Sequence, residues 1–145
     1  MERAVRYGLL PVLLLVLTAC VGTSPNILNV QAGPAGVSSK QVEINDSFLA
    51  RTLTFGDVSV NPLGAGNSIE AQVLVKNESS RDVTFEYRFM WYDVKGFELS
   101  SATAWIPGML TGNEARGFKS VAPGPNAAGF KFMVRKPHPV TEAGS

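Results

Sequence analysis

One thiol and one imidazole, Cys20 and His138, stand near opposite ends of this 145-residue sequence. A thiol nucleophile activated by histidine needs the two side chains within hydrogen-bond reach. Here they belong to the two chain ends. A single Cys makes no internal disulfide, and one Cys with one His cannot fill the four ligand positions of a structural zinc site. No metal and no other cofactor is expected. Pro137 and Pro139 flank His138 and put it in a solvated tail, remote from any serine that would need it as a base. Glu86 and Asp93 are the nearest approach to an acid–base carboxylate pair. Asp93, however, opens the turn Asp93-Val94-Lys95-Gly96, where its side chain bonds the backbone, and Glu86 falls on the solvent face of a strand. Gly64-Ala65-Gly66-Asn67 lacks the lysine and the following helix of a phosphate loop. Asn45-Asp46-Ser47 and Asn77-Glu78-Ser79 fit the acceptor pattern for N-glycosylation but read as turns. No catalytic residue is assigned, and a non-enzyme is expected.

Cys20 has a better explanation in what precedes it. Met1–Arg6 carries two arginines, and an apolar run from Leu9 to Leu17 follows, broken by Pro11. A bilayer span takes roughly 20 apolar residues. This run is shorter and has the length of a signal-peptide core. It ends in Leu17-Thr18-Ala19-Cys20, which resembles the lipobox of bacterial lipoproteins. Small Ala19 lets a peptidase reach the Ala19–Cys20 bond, and the Cys20 sulfur forms a thioether to diacylglycerol. The resemblance implies that residues 1–19 are removed and that Cys20 is lipidated, with the membrane as partner. One acyl chain binds only reversibly, at about 0.8 kcal/mol per buried CH₂, so two or three on one residue make a lasting anchor. Val21, where inner-membrane lipoproteins carry Asp, implies the periplasmic face of the outer membrane.

Charge excludes other addresses. The chain carries 13 Lys+Arg against 12 Asp+Glu; without Arg3, Arg6 and Glu2 these become 11 and 11. The signs are interspersed, as in Lys76, Glu78, Arg81, Asp82, Glu86 and Arg88. A neutral domain without a basic stripe has no general attraction for nucleic acid.

The elements that follow are β-rich. Residues 20–46 are read as the lipidated cysteine and a flexible tether, on their Gly, Ser, Pro and Asn content and lack of periodicity. Such a tether spans about 25–30 Å. Residues 47–136 are the folded domain, and 137–145 a disordered tail. No stretch has a convincing helical period. Phe48–Phe55 alternates like a strand, with a slip at Gly56-Asp57 that suggests a bulge. Residues 61–67 read as a turn. Ile69, Ala71, Val73 and Val75 form one apolar face. Val83, Phe85, Tyr87, Phe89 and Trp91 form another, the clearest in the chain. Phe97–Leu99 begins a return strand, and Ala102–Ile106 is a short strand stopped by Pro107-Gly108. Glu114–Val121 turns Phe118 inward, and Ala128–Arg135 turns Phe130, Phe132 and Val134 inward. Six or seven short strands with turns every 8–12 residues predict an immunoglobulin-like antiparallel β-sandwich, with a small β-barrel as the alternative. Trp91 and Tyr92 point to opposite faces by parity. Tyr92, with Trp105 beside the Pro107 loop, is therefore the candidate interaction surface.

The run Tyr87-Arg88-Phe89-Met90-Trp91-Tyr92-Asp93, then Gly96, after a strand ending at Asn77, resembles the YcfL-like predicted periplasmic lipoproteins. Trp105 and the Gly112-Asn113-Glu114 turn before Phe118 agree with it, over roughly residues 53–134. The resemblance implies an immunoglobulin-like sandwich and an envelope location, and no activity. The expected role is a non-enzymatic interaction module holding an envelope protein. A glycan or small-ligand module using the exposed aromatics is the alternative.

Overall fold

The computed structural model describes residues 23–64, 66–99 and 104–139. Ala19 and Cys20, with the rest of the leader, lie outside the described residues, as do residues 140–145 of the tail. Eight strands are described: β1 Asn26–Gly33, β2 Gly36–Glu43, β3 Leu53–Leu63, β4 Ser68–Asn77, β5 Val83–Tyr92, β6 Ile106–Leu110, β7 Ala115–Val121 and β8 Gly129–Arg135. They form a five-stranded sheet in the order β2-β1-β8-β5-β6 and a three-stranded sheet in the order β3-β4-β7. Every pairing is antiparallel. The chain is thus an all-β sandwich of two antiparallel sheets, with eight described strands where the sequence suggested six or seven.

The core lies where the inner faces meet. On β4, Ile69, Ala71, Val73 and Val75 are all fully buried. Opposite them stand Phe85, Phe89 and Trp91 of β5 and Phe130, Phe132 and Val134 of β8. The rings interlock across the sheets: Phe85 meets Phe118 of β7 at 5.6 Å, and Phe132 meets Phe55 of β3 at 5.8 Å, both edge to face. Edge-to-face pairs add about 0.5–1.5 kcal/mol to the area they bury. The Trp91 indole N–H also donates across the gap to the Ser120 hydroxyl at 3.1 Å.

Residues 61–63 end β3 rather than forming a turn, and residues 97–99 make a single bridge from Glu98 to Tyr92 rather than a strand. Three further sequence expectations are corrected. The largest concerns the tether. Residues 26–43 form the hairpin β1–β2, and β1 sits between β2 and β8 inside the larger sheet. Leu28, Val30 and Ala32 are buried, which offsets the conformational entropy lost on ordering the segment. The folded domain therefore begins near Asn26 rather than at residue 47. The second concerns Phe48–Phe55. Its first part is a short helix, α1 (Ser47–Thr52). Asp46 caps it by accepting the Leu49 N–H at 2.9 Å, and Leu49 turns inward. Alternation ran through a segment whose start obeys the cap. The third concerns Pro107-Gly108, which lie inside β6 rather than ending a strand. An edge strand accepts proline because one of its sides has no ladder to complete. The Gly56-Asp57 slip is where expected, as a register shift between Phe55 and Val58.

The strands give the sandwich two ends. At the near end, where the chain enters at Thr23, lie the start of β1, α1 and the ends of β4 and β8. Two buried asparagines hold it. Asn26 accepts the Asn45 and Asp46 N–H groups at 2.9 and 2.8 Å and donates to the Asp46 carbonyl at 2.9 Å. Asn77 donates to the Arg81 and Thr111 carbonyls at 2.7 and 2.9 Å and accepts the Ser79 N–H at 3.0 Å. The far end carries the β1–β2 turn and the turn after β5.

Candidate functional site

The outer face of the five-stranded sheet gathers the polar and aromatic side chains that the core excludes. Parity puts Glu86, Arg88, Met90 and Tyr92 of β5 there, opposite Arg135, Met133, Lys131 and Gly129 of β8. Asn29 and Gln31 of β1 lie on the same face, paired with Lys131 and Gly129. Both predicted surface aromatics arrive on this face. Tyr92 comes from the end of β5. Trp105 comes from the segment leading into β6.

Trp105 lies in the near half of this face. The guanidinium carbons of Arg135 and Arg88 lie 4.1 and 4.6 Å from its ring centroid. Arg135 also binds Glu86, Nε to Oε2 at 2.7 Å, in a pair about one-fifth exposed. Arg88 Nε is buried and has no hydrogen-bond partner among the described residues. The ring is a cover over two arginines, a contact of about 0.5–2 kcal/mol for each cation. Its π-face is therefore engaged within the chain.

The far half is open. A trough of about 730 Å³ runs between the β1–β2 hairpin and the end of β5. Asn29, Gln31, Gln41, Tyr92, Asp93 and Lys131 line it. Gly129, between Gln31 and Tyr92, lets β1 lie close against β8 on the floor of the trough. A Cβ there would come within 2.4 Å of the Val30 carbonyl oxygen. Lys131 Nζ stands 5.3 Å from the Tyr92 ring centroid. Burial, and then the negative charge of Glu98, push the Tyr92 hydroxyl above its ordinary pKa, against the pull of Arg88. The phenol keeps its hydrogen, which it donates to Met90 Sδ at 3.9 Å, a weak acceptor that a ligand oxygen would outcompete. Amide, phenol and ammonium groups here offer hydrogen bonds and charge to a ligand.

A ridge stands at the end of the trough. Asp93 Oδ1 accepts the Lys95 and Phe97 N–H groups, both at 2.9 Å, and Gly96 takes a φ of 84°. This turn thrusts Val94 and Phe97 outward, 85% and 68% exposed. Sequence reasoning placed Asp93 and Gly96 in the turn but missed these two side chains. Their signal was an apolar residue on each side of Lys95-Gly96, where turns are usually polar. The amides of β1 and β2 were missed because that hairpin was read as tether. His138 lies near the chain entrance, with Nδ1 3.4 Å from the Thr23 hydroxyl. Glu86 and Asp93 are held apart, at different ends of β5. Among the described residues there is no group of three His, Cys, Asp or Glu able to hold a metal, and no helix long and apolar enough to cross a membrane.

Fold and surface together define a class: a small antiparallel β-sandwich whose larger sheet turns an open polar trough and an apolar ridge to one end. The particular family follows from comparison. The pattern of the family described as "Protein of unknown function (DUF1425)" matches residues 40–136, and the chain belongs to that family. The crystal structure of a DUF1425 family member from Shewanella sp. pv-4 is similar in fold, with 18% sequence identity and a TM-score of 0.53 over 76% of this chain and 96% of that one. No curated protein matches the chain.

Proposed function

We propose that this DUF1425 protein is a YcfL-like periplasmic lipoprotein, cleaved before Cys20, anchored in the outer membrane through that residue, and acting as a non-enzymatic module that holds another envelope protein. The anchor rests on the leader and lipobox. The holding role rests on one observation: the exposed Val94–Phe97 ridge beside the trough, at the end opposite the one where the chain enters. Nine steps along β5, at about 3.3 Å each, put roughly 30 Å between the two ends. A ridge so placed faces away from the membrane, toward soluble and wall-bound partners. Apolar anchors beside polar, hydrogen-bonding groups are the composition of a protein-binding patch. The neutral charge of the mature chain argues against nucleic acid as partner.

A photo-crosslinking residue at Val94 or Phe97, introduced in intact cells, tests this. One discrete adduct from these positions, lost when the neighbouring ridge residue becomes Ser, supports the role. Adducts no more discrete than those from Lys119 on the three-stranded sheet remove it. The trough favours a second reading, a glycan or small-ligand module. Its volume lies within the roughly 300–1,000 Å³ usual for ligand sites, and amides beside a tyrosine suit sugar hydroxyls. Titration with muropeptides should then move the amide resonances of Gln31, Tyr92 and Lys131. A flat titration discards that reading and leaves the first intact.

A further inference from the structure

At the near end, the folding of residues 26–43 changes what an anchored chain can do. A tether of about 25 residues would let the domain drift. With β1 starting at Asn26, only a short leader joins Cys20 to the fold. Thr23, three residues on, already lies against the domain, where Thr23, Ser24, Phe48 and Lys136 line one small cleft of about 270 Å³. Three extended residues reach at most about 11 Å. The polar headgroup layer takes up roughly 5–8 Å of each leaflet. A lipidated Cys20 sits at the inner boundary of that layer, so Thr23 cannot rise more than a few ångströms above it.

The cleft beside Thr23 is lined by Ser24, Asn45, Asp46, Ser47 and Lys136 with one apolar residue, Phe48. The Phe48 ring centroid lies 4.9 Å from Lys136 Nζ. Ile44 and Val42 lie on the adjoining segment. Phe48 is 66% exposed, Ile44 50% and Val42 47%. All three fall in the short stretch between the end of β2 and the first turn of α1. The mount is stiff. Asn26 clamps the start of β1 to Asn45 and Asp46 through three hydrogen bonds, which ties the first strand to the segment that carries Ile44 and Phe48. The charges of this end balance: Lys136 pairs with Asp46 at 2.9 Å, Lys76 with Glu78 at 2.8 Å and Arg116 with Glu114, and the exposed Glu43 and Arg51 beside the apolar residues are of opposite sign. An anionic bilayer therefore neither repels the end nor draws it strongly, and exposed apolar area decides the seat.

We infer that the near end of the sandwich is a membrane-docking surface, with Phe48 and Ile44 inserted into the lipid interface and the far-end trough held outward. The occupant is the bilayer that carries the Cys20 acyl chains. This rests on the proposed lipidation of Cys20 and adds an orientation to it. The docked domain stands fixed on its anchor, and its ridge is presented about one strand length above the headgroups.

The test uses the full lipidated chain in vesicles of phosphatidylethanolamine with phosphatidylglycerol. Lipidation occupies Cys20, so Ile44→Cys, Phe48→Cys, Val94→Cys or Phe97→Cys each supplies one free thiol for an environment-sensitive fluorophore. Labels at 44 and 48 should shift to the blue and be quenched several-fold more by lipids spin-labelled near the headgroup than labels at 94 and 97. All four positions are exposed, so folding is not at stake. If mass spectrometry shows Cys20 acylated while 44 and 48 stay as wet as 94, the docking surface is overturned and the anchor stands. If Cys20 is unmodified, both fall together. A shift at 48 that grows with the protein-to-lipid ratio marks contact between copies and also overturns docking.

Discussion

The two ends of the sandwich are built by different means. At the near end, buried asparagine side chains stand in for strand partners. Asn26 and Asn77 are 3% and 0% exposed, and each satisfies backbone groups of other segments. The far end uses tight turns instead, with Gly36 and Gly96 at positive φ, while both ends expose apolar residues, Ile44 and Phe48 at one and Val94 and Phe97 at the other. One end is fixed by buried polar bonds that are costly to break. The other is held by local turn geometry and is free to vary its surface. A molecule that must be mounted at one end and recognised at the other would divide its chemistry in this way.

The largest expected effect that bears on this contrast is at Asn77. Asn77→Leu strips the Arg81 and Thr111 carbonyls of their donor inside the protein and should cost about 3 kcal/mol, read as a lower midpoint in urea. A loss no larger than that of an exposed substitution would mean that the near end is not held from within. Next is Asp46. Its carboxyl is held below the ordinary carboxylate range by the Leu49 N–H and then by Lys136. A depressed folded pKa means a contribution to stability that is complete above about pH 4 and disappears as pH falls through the lower folded value. Asp46→Ala should cost about 1 kcal/mol at neutral pH, and the difference from wild type should close in acid. A gap that persists at low pH would show that the carboxylate charge is not what holds the corner.

At the far end, Gly96→Ala forces a side chain into left-handed backbone and should cost about 1 kcal/mol. It should lower the melting temperature while leaving hydrogen exchange around Asn26 unchanged; spread of the effect to the near end would blur the division. The smallest expected effect on stability is at the ridge. Val94→Ser with Phe97→Ser should leave the unfolding midpoint within about 0.5 kcal/mol and yet abolish crosslinking to a partner. A stable variant that still crosslinks would move the binding surface elsewhere.

How much could be read in advance differs from element to element. β4, β5 and β8 carry apolar residues at every second position, and each faces the core as their parity says. The Asp93–Gly96 turn announced itself through a capping carboxylate and a glycine. The candidate aromatics were legible as outward-facing, Tyr92 by counting from Trp91. Their partners were not: Lys131, Gly129 and the two arginines come from β5 and β8, brought together only by pairing. The β1–β2 hairpin was illegible for a related reason. β2, Gly-Val-Ser-Ser-Lys-Gln-Val-Glu, is exposed along nearly its whole length, so no burial pattern is written in it.

What this sequence determined alone is therefore whatever depends on near neighbours: strand parity, turn chemistry, the bulge at Gly56-Asp57, and the motif around Cys20. Period-two burial and side-chain bonds to the local backbone act within a few residues, and composition records them. Tertiary structure alone decided that β1 enters the sheet beside β8, that α1 replaces the start of a strand, and that the β1–β2 hairpin and the end of β5 border a trough beside Tyr92. Those outcomes depend on which surfaces meet across the fold, where the free energy of burial is shared between segments far apart in the chain.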